Sequence, residues 1–180
     1  MTHRHEIKKI YIAGPAVFLP DAKEVLQKYS EICRENGFDG LTPFDSLPSD
    51  SEGMERAREI FVSNMELIRK SDFIIADCNS FRGACIDDGT AWEIGYGFAC
   101  DKIILGYREK LSPLPENAAE KIRTFPHKSG YRIDEDGYLL NEDFGNTVNL
   151  MLEFSIEKSG GILLEGDFSD AVHYLKRHYG

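Results

Sequence analysis

The sequence lacks an apolar run long enough to cross a membrane. The longest runs, Phe73 to Ala76 and Ile103 to Leu105, fall far short of the roughly 20 residues that a spanning helix needs. The first nine residues are polar, without the apolar centre of a signal peptide. The four cysteines form no C-x-x-C pair, and the five histidines stand at no metal-ligand spacing from them. These absences predict a cytoplasmic protein with reduced thiols and no metal.

Positive charge is also scarce. Lys and Arg together number 21 against 31 Asp and Glu, which gives a formal net charge of -10. No stretch gathers the basic residues that a phosphate backbone requires. Polymeric nucleic acid is therefore excluded as an expected partner, whereas a neutral nucleoside is not.

What remains is ordinary globular composition, with 42% apolar and 29% charged residues. A chain of 180 residues fits one domain, here residues 1–180, that buries a core without disulfides. Apolar runs and helical spacings alternate along it. The predicted strands cover 8–15, 38–41, 72–78 and 102–107, a hairpin covers 131–140, and the predicted helices cover 20–36, 54–70, 90–100, 146–158 and 169–178.

This alternation predicts an α/β fold, a parallel sheet with helices on both faces. Ligands of such sheets bind beyond the carboxyl ends of the strands. Between the second strand and the second helix, Pro43, Pro48 and the run from Ser49 to Gly53 contain too many breakers for regular structure. We expect this segment to form a lid.

The segment from Ser80 to Gly97 carries the strongest chemical signal, because three carboxylates crowd a predicted helix start after a buried strand. A helix N-terminus favours the ionised form of a carboxylate in its first turn, where Glu93 is predicted to lie. An ionised carboxylate can attack an anomeric carbon. Thr90 to Glu93 is also a capping box, in which the two side chains only satisfy helix-end groups. Taken alone, the segment favours capping.

Three further polar residues have ordinary local interpretations. Asn64 falls within the apolar stripe of the second helix and is expected to bond a backbone group there. Tyr11 is a core tyrosine in the first strand, and Asn149 is a surface or cap residue near the start of the predicted fourth helix.

Four pieces, taken in order, make the sequence resemble the nucleoside 2-deoxyribosyltransferases from Lys9 to about Phe154. They are Ile10-Tyr11-Ile12-Ala13-Gly14-Pro15-Ala16-Val17-Phe18, Asn64-Met65-Glu66-Leu67-Ile68-Arg69-Lys70-Ser71-Asp72, Asp87-Asp88-Gly89-Thr90-Ala91-Trp92-Glu93-Ile94-Gly95-Tyr96 and Asn149-Leu150-Met151. The resemblance implies a flavodoxin-like (Rossmann-like) sheet, no cofactor, and transfer of deoxyribose from one purine or pyrimidine base to another.

The resemblance also implies roles for individual residues. Glu93 is the nucleophile, Tyr11 positions its carboxylate, and Asp87 exchanges a proton with the base. Asn64 stands where some members of the family have an aspartate near the deoxyribose or base, and Phe18 lines the base pocket. The remaining substrate-binding residues are Gly14, Asp88, Gly89 and Asn149. Asn149 is donated across a subunit interface, so the resemblance implies a homo-oligomer, at least a dimer.

Two alternatives stay open at this point. An N-glycosidase of the same superfamily would act on a deoxynucleoside 5'-monophosphate; Arg82 is able to meet a phosphate, although the apolar first loop favours a nucleoside. A non-catalytic nucleotide-sensing module would use Thr90 and Glu93 only to cap a helix, and would bind its ligand without turnover.

Overall fold

The architecture is an α/β sandwich around one parallel sheet. The computed structural model describes residues 7–45 and 50–180 of the chain. Five strands pair in parallel in the order β2-β1-β3-β4-β7, the flavodoxin-like arrangement. These strands are β1 (Lys9–Ala13), β2 (Asp39–Leu41), β3 (Phe73–Asp77), β4 (Ile103–Arg108) and β7 (Leu163–Glu165). The predicted fold class is confirmed.

Helices cover both faces of the sheet. They are α1 (Ala22–Glu35), α2 (Gly53–Lys70), α3 (Asp88–Ala99), α4 (Leu114–Lys121), α5 (Leu150–Lys158) and α6 (Phe168–Tyr179). Buried side chains of α1 and α6 pack against one face, and those of α2, α3 and α5 pack against the other. None of the helices among the described residues is both long and apolar enough to span a bilayer.

The three central strands are buried on both faces because each is a nearly continuous apolar run. Side chains alternate across the sheet, so Ile10 and Ile12 face α1 and α6, whereas Tyr11 points toward α3. At Gly97 in α3, a Cβ would lie 2.1 Å from Ile74 Cδ1 of β3. The glycine therefore allows α3 to approach the sheet closely.

Sequence periodicity located most elements to within a few residues but missed three. The helix α4, the strand β7 and the short strand β5 (Thr124–Pro126) were not predicted. The predicted hairpin is present: Ile133 bridges Leu139 across its turn. Its first strand, β6 (Arg132–Asp134), also pairs with β5. The predicted lid begins with a 3-10 turn over Pro43–Asp45 and includes residues 46–49, which lie outside the described residues.

Helical spacing in the sequence predicts one apolar face of α2, formed by Ala57, Ile60, Phe61, Leu67 and Ile68, and this prediction is only partly correct. Leu67 and Ile68 are buried, as expected, whereas Ala57 is exposed. Ile60 and Phe61 are also exposed, because the sheet lies only under the C-terminal part of the helix.

Candidate active site

A buried tyrosine and a carboxylate meet on the α3 side of the sheet. Tyr11 of β1 has no exposed surface, and its hydroxyl donates a 2.5 Å hydrogen bond to Oε1 of Glu93 in α3. Burial and the neighbouring carboxylate hold the pKa of Tyr11 far above its ordinary value, so the phenol remains a donor. The expected pairing of Tyr11 with Glu93 is therefore present as a short hydrogen bond.

The protonation of Glu93 differs from the sequence expectation. Burial raises the pKa of Glu93 from 4.5 to about 7; the hydrogen bond from Tyr11 opposes the rise, and the charge of Asp87 adds to it. The helix N-terminus was expected to favour the ionised form, but Glu93 lies in the second turn of α3 rather than the first. Desolvation outweighs the helix dipole at that position.

Asp87, and not Thr90, caps α3. Its Oδ2 accepts hydrogen bonds from the Thr90 backbone N (2.8 Å) and from Thr90 Oγ1 (2.9 Å). The helix consequently begins at Asp88, two residues before the predicted start. The predicted capping box between Thr90 and Glu93 is wrong, because Thr90 serves Asp87 and Glu93 turns toward Tyr11. The carboxylate of Glu93 therefore does not cap the helix, which is the role that the sequence pattern favoured.

The first loop contributes an aromatic stack. Gly14 has a φ of +157°, and a Cβ there would lie 2.9 Å from Cβ of Asp77, so the close approach of β1 and β3 needs glycine. Phe18, which is 55% exposed, stacks on Phe81 with ring centroids 5.3 Å apart. The guanidinium of Arg82 lies over both rings, 5.1 Å and 4.7 Å from their centroids.

Phe81 was not among the predicted site residues. Phe81 lies in the loop after β3, whereas Phe18 follows β1. Spacing along the chain carries no signal for a contact between two such segments. Phe18 is exposed and Phe81 is partly buried, and aromatic rings of this kind offer a surface on which a nucleobase stacks.

Asn64 keeps an unsatisfied group. Its side chain is partly buried, and Oδ1 is shielded from solvent with no hydrogen-bond partner among residues 7–45 and 50–180. The hydrogen bond to a backbone group that was expected of the Asn64 amide is therefore absent among the described residues. No hydrogen bond within the described chain joins Asn64 to Glu93 or Asp87.

Asn149 caps α5 on the surface. Its Oδ1 accepts a hydrogen bond from the Met151 backbone N (3.1 Å), and its Nδ2 donates to Oε2 of Glu142 (2.9 Å). Asp88 and Gly89 are exposed at the start of α3, where Oδ1 of Asp88 accepts from the Gly89 N–H. Asn149 makes no hydrogen bond to Glu93 within the described part of its own chain.

A cavity of about 590 Å³ lies between the start of α3, α4 and the segment before α5. Its walls include Asp88, Asn149 and Glu142 together with apolar residues such as Leu114 and Leu152. Neither Tyr11 nor Glu93 contributes to it. The structure thus separates the predicted residues into a group around Glu93 and a group, Asp88 and Asn149, at this cavity.

No cluster of three or more His, Cys, Asp or Glu side chains suited to a metal ion occurs among the described residues.

Comparison with known proteins identifies the family to which this chain is similar. The sequence profile described as nucleoside 2-deoxyribosyltransferase matches residues 10–151. An uncharacterized protein of Schizosaccharomyces pombe is 34% identical over 179 residues, which cover 92% of this chain and 84% of that protein. Among solved structures, the 2-desoxiribosyltransferase of Leishmania mexicana superposes with a TM-score of 0.72 at 30% identity, covering 96% of this chain and 99% of the other.

The fold is shared more widely. A conserved protein of Enterococcus faecalis superposes with a TM-score of 0.63 at 19% identity, over 96% of this chain and 99% of its own. The 2-deoxyribosyltransferase of Bacillus psychrosaccharolyticus gives a TM-score of 0.57, also at 19% identity, over 92% and 91% of the two chains. The chain matches the family profile over most of its length and therefore belongs to the nucleoside 2-deoxyribosyltransferase family.

Proposed function

We propose that this protein transfers 2-deoxyribose between nucleobases through a covalent ester on Glu93. The observation that carries the proposal is the short hydrogen bond from the buried Tyr11 hydroxyl to the Glu93 carboxylate. A phenol donor fixes one carboxylate oxygen and leaves the other to attack. This is the arrangement that a positioned carboxylate nucleophile requires.

The reaction divides between two carboxylates. Glu93 attacks the anomeric carbon while Asp87 delivers a proton to the departing base, which leaves a deoxyribosyl ester on Glu93. A second base then gives its proton to Asp87 and attacks the ester. Because a 2-deoxysugar lacks the electron-withdrawing 2-hydroxyl, its oxocarbenium-like transition state forms readily, and two inversions preserve the β configuration.

The two oxygens of Asp87 suit this double duty. The hydrogen bonds from Thr90 both reach Oδ2, so Oδ1 is the oxygen we assign to the proton exchange. The stacked rings of Phe18 and Phe81 are the surface we assign to the base. Asn64, with its shielded and unsatisfied Oδ1, is assigned to a polar group of the deoxyribose or base.

Asn149 acts across a subunit interface in this proposal. Its side chain is exposed on its own chain and makes no hydrogen bond to Glu93 there. Exposed apolar side chains on α2, α3 and α5 support assembly on the same face of the sheet. The active species is therefore proposed to be a homo-oligomer, at least a dimer.

Arg82 supports a second candidate function, hydrolysis of a deoxynucleoside 5'-monophosphate. Its guanidinium lies over both rings of the proposed base surface, where a phosphate could meet it. The loop that carries Phe18 is otherwise apolar, which favours a neutral nucleoside. Deoxyinosine and its 5'-monophosphate, tested at equal concentration, separate the two candidates.

The decisive experiment incubates the purified protein with deoxyinosine and free adenine and separates the products by chromatography. We expect deoxyadenosine from the parent and none from Glu93→Ala, with Glu157→Gln on the surface of α5 as a control of equal charge change. Intact mass after acid quench should show one deoxyribosyl group on the parent only. Hypoxanthine without deoxyadenosine would make the protein a hydrolase, and no turnover would remove the proposal.

A further inference from the structure

A single carboxylate organises the segment that leads into α5. Oε1 of Glu142 accepts hydrogen bonds from Asn146 Nδ2 (2.7 Å) and from the Leu150 backbone N, and Oε2 accepts from Asn149 Nδ2 (2.9 Å). Three donors from three residues thus converge on one partly buried side chain. Charge-assisted hydrogen bonds of this kind are about twice as strong as neutral ones.

Two further side chains hold the backbone before Asn149. Oε2 of Glu153 accepts from the N–H groups of Thr147 (2.6 Å) and Val148 (3.2 Å). The buried amide of Asn117 donates to the carbonyl of Thr147 (3.2 Å). The peptide from Thr147 to Asn149 therefore has little freedom, and the direction of the Asn149 side chain depends on the two partners of its amide, Glu142 and the Met151 N–H.

Glu142 also decides which way the Asn149 amide faces. A carboxylate only accepts hydrogen bonds, so it selects the Nδ2 end of the amide, while the Met151 N–H selects the Oδ1 end. One N–H of Nδ2 and one lone pair of Oδ1 then remain available on an exposed side chain.

We propose that Glu142 is a positioning residue that presets the Asn149 amide for the active site of the neighbouring subunit. This inference rests on the proposed function, in which Asn149 reaches that site. Glu142 itself does not touch the substrate in the proposal; it acts through the orientation of Asn149. Misplacement of a substrate-positioning group by about 1 Å costs about 100-fold in rate.

The first test is Glu142→Gln, which preserves shape but replaces one acceptor oxygen with a donor. The glutamine faces Asn149 Nδ2 with a second N–H, so the Asn149 amide must turn or move. We expect kcat for base exchange to fall by about 10- to 100-fold, with oligomeric state and thermal unfolding close to those of the parent. Glu157→Gln, which alters an exposed carboxylate of α5 paired with Lys158, is the matched control.

The second test distinguishes a contribution to the neighbour from a contribution within one subunit. Glu142→Gln subunits are co-assembled with Glu93→Ala subunits. The first kind of subunit retains Glu93, and the second retains Glu142. Sites that combine Glu93 of the first with Glu142 and Asn149 of the second should restore about a quarter of the parent rate in a random dimeric mixture. A mixed rate no higher than half that of Glu142→Gln alone would overturn the inference.

An Asn149→Ala and Glu93→Ala mixture keeps this failure separate from failure of the proposed function. If the Asn149→Ala mixture regains activity and the Glu142→Gln mixture does not, only the positioning role of Glu142 is rejected. If the parent shows no base exchange, both that role and the proposed function are rejected. If Glu142→Gln fails to assemble, Glu142→Asp replaces it, since the shorter carboxylate keeps the charge but cannot reach all three donors. A mixture of Glu142→Asp with Glu93→Ala should again reach about a quarter of the parent rate. A rate no higher than half that of Glu142→Asp alone would again overturn the inference.

Discussion

Glu93 must be ionised to act as the proposed nucleophile, but its buried surroundings favour the neutral form. Burial raises its pKa to about 7, and the Tyr11 hydrogen bond acts in the opposite direction. A desolvated carboxylate is more nucleophilic than a hydrated one only when it is ionised, so the tyrosine serves both orientation and ionisation. At neutral pH the residue is balanced between its two forms.

Tyr11→Phe should therefore move the acid limb of the pH profile. Without the phenol donor, the pKa of Glu93 rises further, so the limb of kcat/KM that reports its ionisation shifts to higher pH. Loss of a hydrogen bond to a charged group should also lower kcat/KM by about 10- to 100-fold at neutral pH. The measurement is kcat/KM for base exchange across the pH range. An unchanged limb with an unchanged rate would show that the pairing of Tyr11 and Glu93 is structural only.

The same burial makes a prediction about stability. Because the folded pKa of Glu93 lies above its unfolded value of 4.5, its contribution to stability is complete below pH 4.5 and is lost as pH rises through about 7. Above pH 7, Glu93→Gln should consequently unfold at a higher urea concentration than the parent. Its free energy of unfolding should be larger by up to about 3 kcal/mol. Urea titrations at several pH values test this. A difference that does not shrink between pH 8 and pH 5 would contradict it.

At the scale of the elements, α3 owes its start to a residue with a proposed chemical role. Asp87→Asn keeps an amide oxygen for the Thr90 donors and should unfold within about 0.5 kcal/mol of the parent, whereas Asp87→Ala should lose about 1 kcal/mol. Both should slow base exchange from deoxyinosine by about 100- to 10,000-fold, because neither delivers a proton. Urea unfolding and exchange rates give the two measurements.

A substrate that needs no proton supplies the control for Asp87. The base of 7-methyl-2'-deoxyguanosine is already cationic, so its departure does not require a general acid. Asp87→Asn should release this base at nearly the parent rate while failing with deoxyinosine. Equal losses with both substrates would mean that Asp87 serves only as the cap of α3.

The elements also show what the sequence could predict. Buried strands such as β1 and β3 were predictable because their apolar runs end at clear breakers. The strand β7 is only three residues long, and α4 has eight residues, too few for a strong periodic signal. The start of α3 was placed two residues late because Thr90 to Glu93 matched a capping pattern that Asp87 satisfies instead.

The candidate site divides in the same way. The contact of Tyr11 with Glu93 was predictable because strand alternation directs Tyr11 toward α3, whereas the catalytic roles of Tyr11, Asp87 and Glu93 stay predictions from the family resemblance. The stack of Phe18 on Phe81 and the hydrogen bonds converging on Glu142 join separate segments of the chain or cross a loop. Such contacts depend on how loops pack, and periodicity carries no information about that.

At the scale of the whole molecule, one side of the sandwich exposes large aromatic side chains from three helices. Phe61 of α2 is 51% exposed, Trp92 of α3 is 43% exposed and Phe154 of α5 is 49% exposed, all on helices that cover the same face of the sheet. Large exposed aromatic side chains on adjacent elements are typical of a surface that a partner covers. We expect a second copy of the chain to cover this one.

Phe154→Asp should therefore shift the protein toward monomers, because a carboxylate at a covered apolar contact is desolvated without a partner. Base exchange should fall with the fraction of oligomer, since each site would lose the Asn149 of its neighbour, while thermal unfolding of the monomer stays cooperative. Light scattering coupled to gel filtration, with activity measured across the same concentrations, tests both effects. Phe125→Asp on β5, where the ring is 40% exposed, is the matched control and should leave assembly unchanged. Full activity in a verified monomer would contradict both the covered face and the contribution of Asn149 across it.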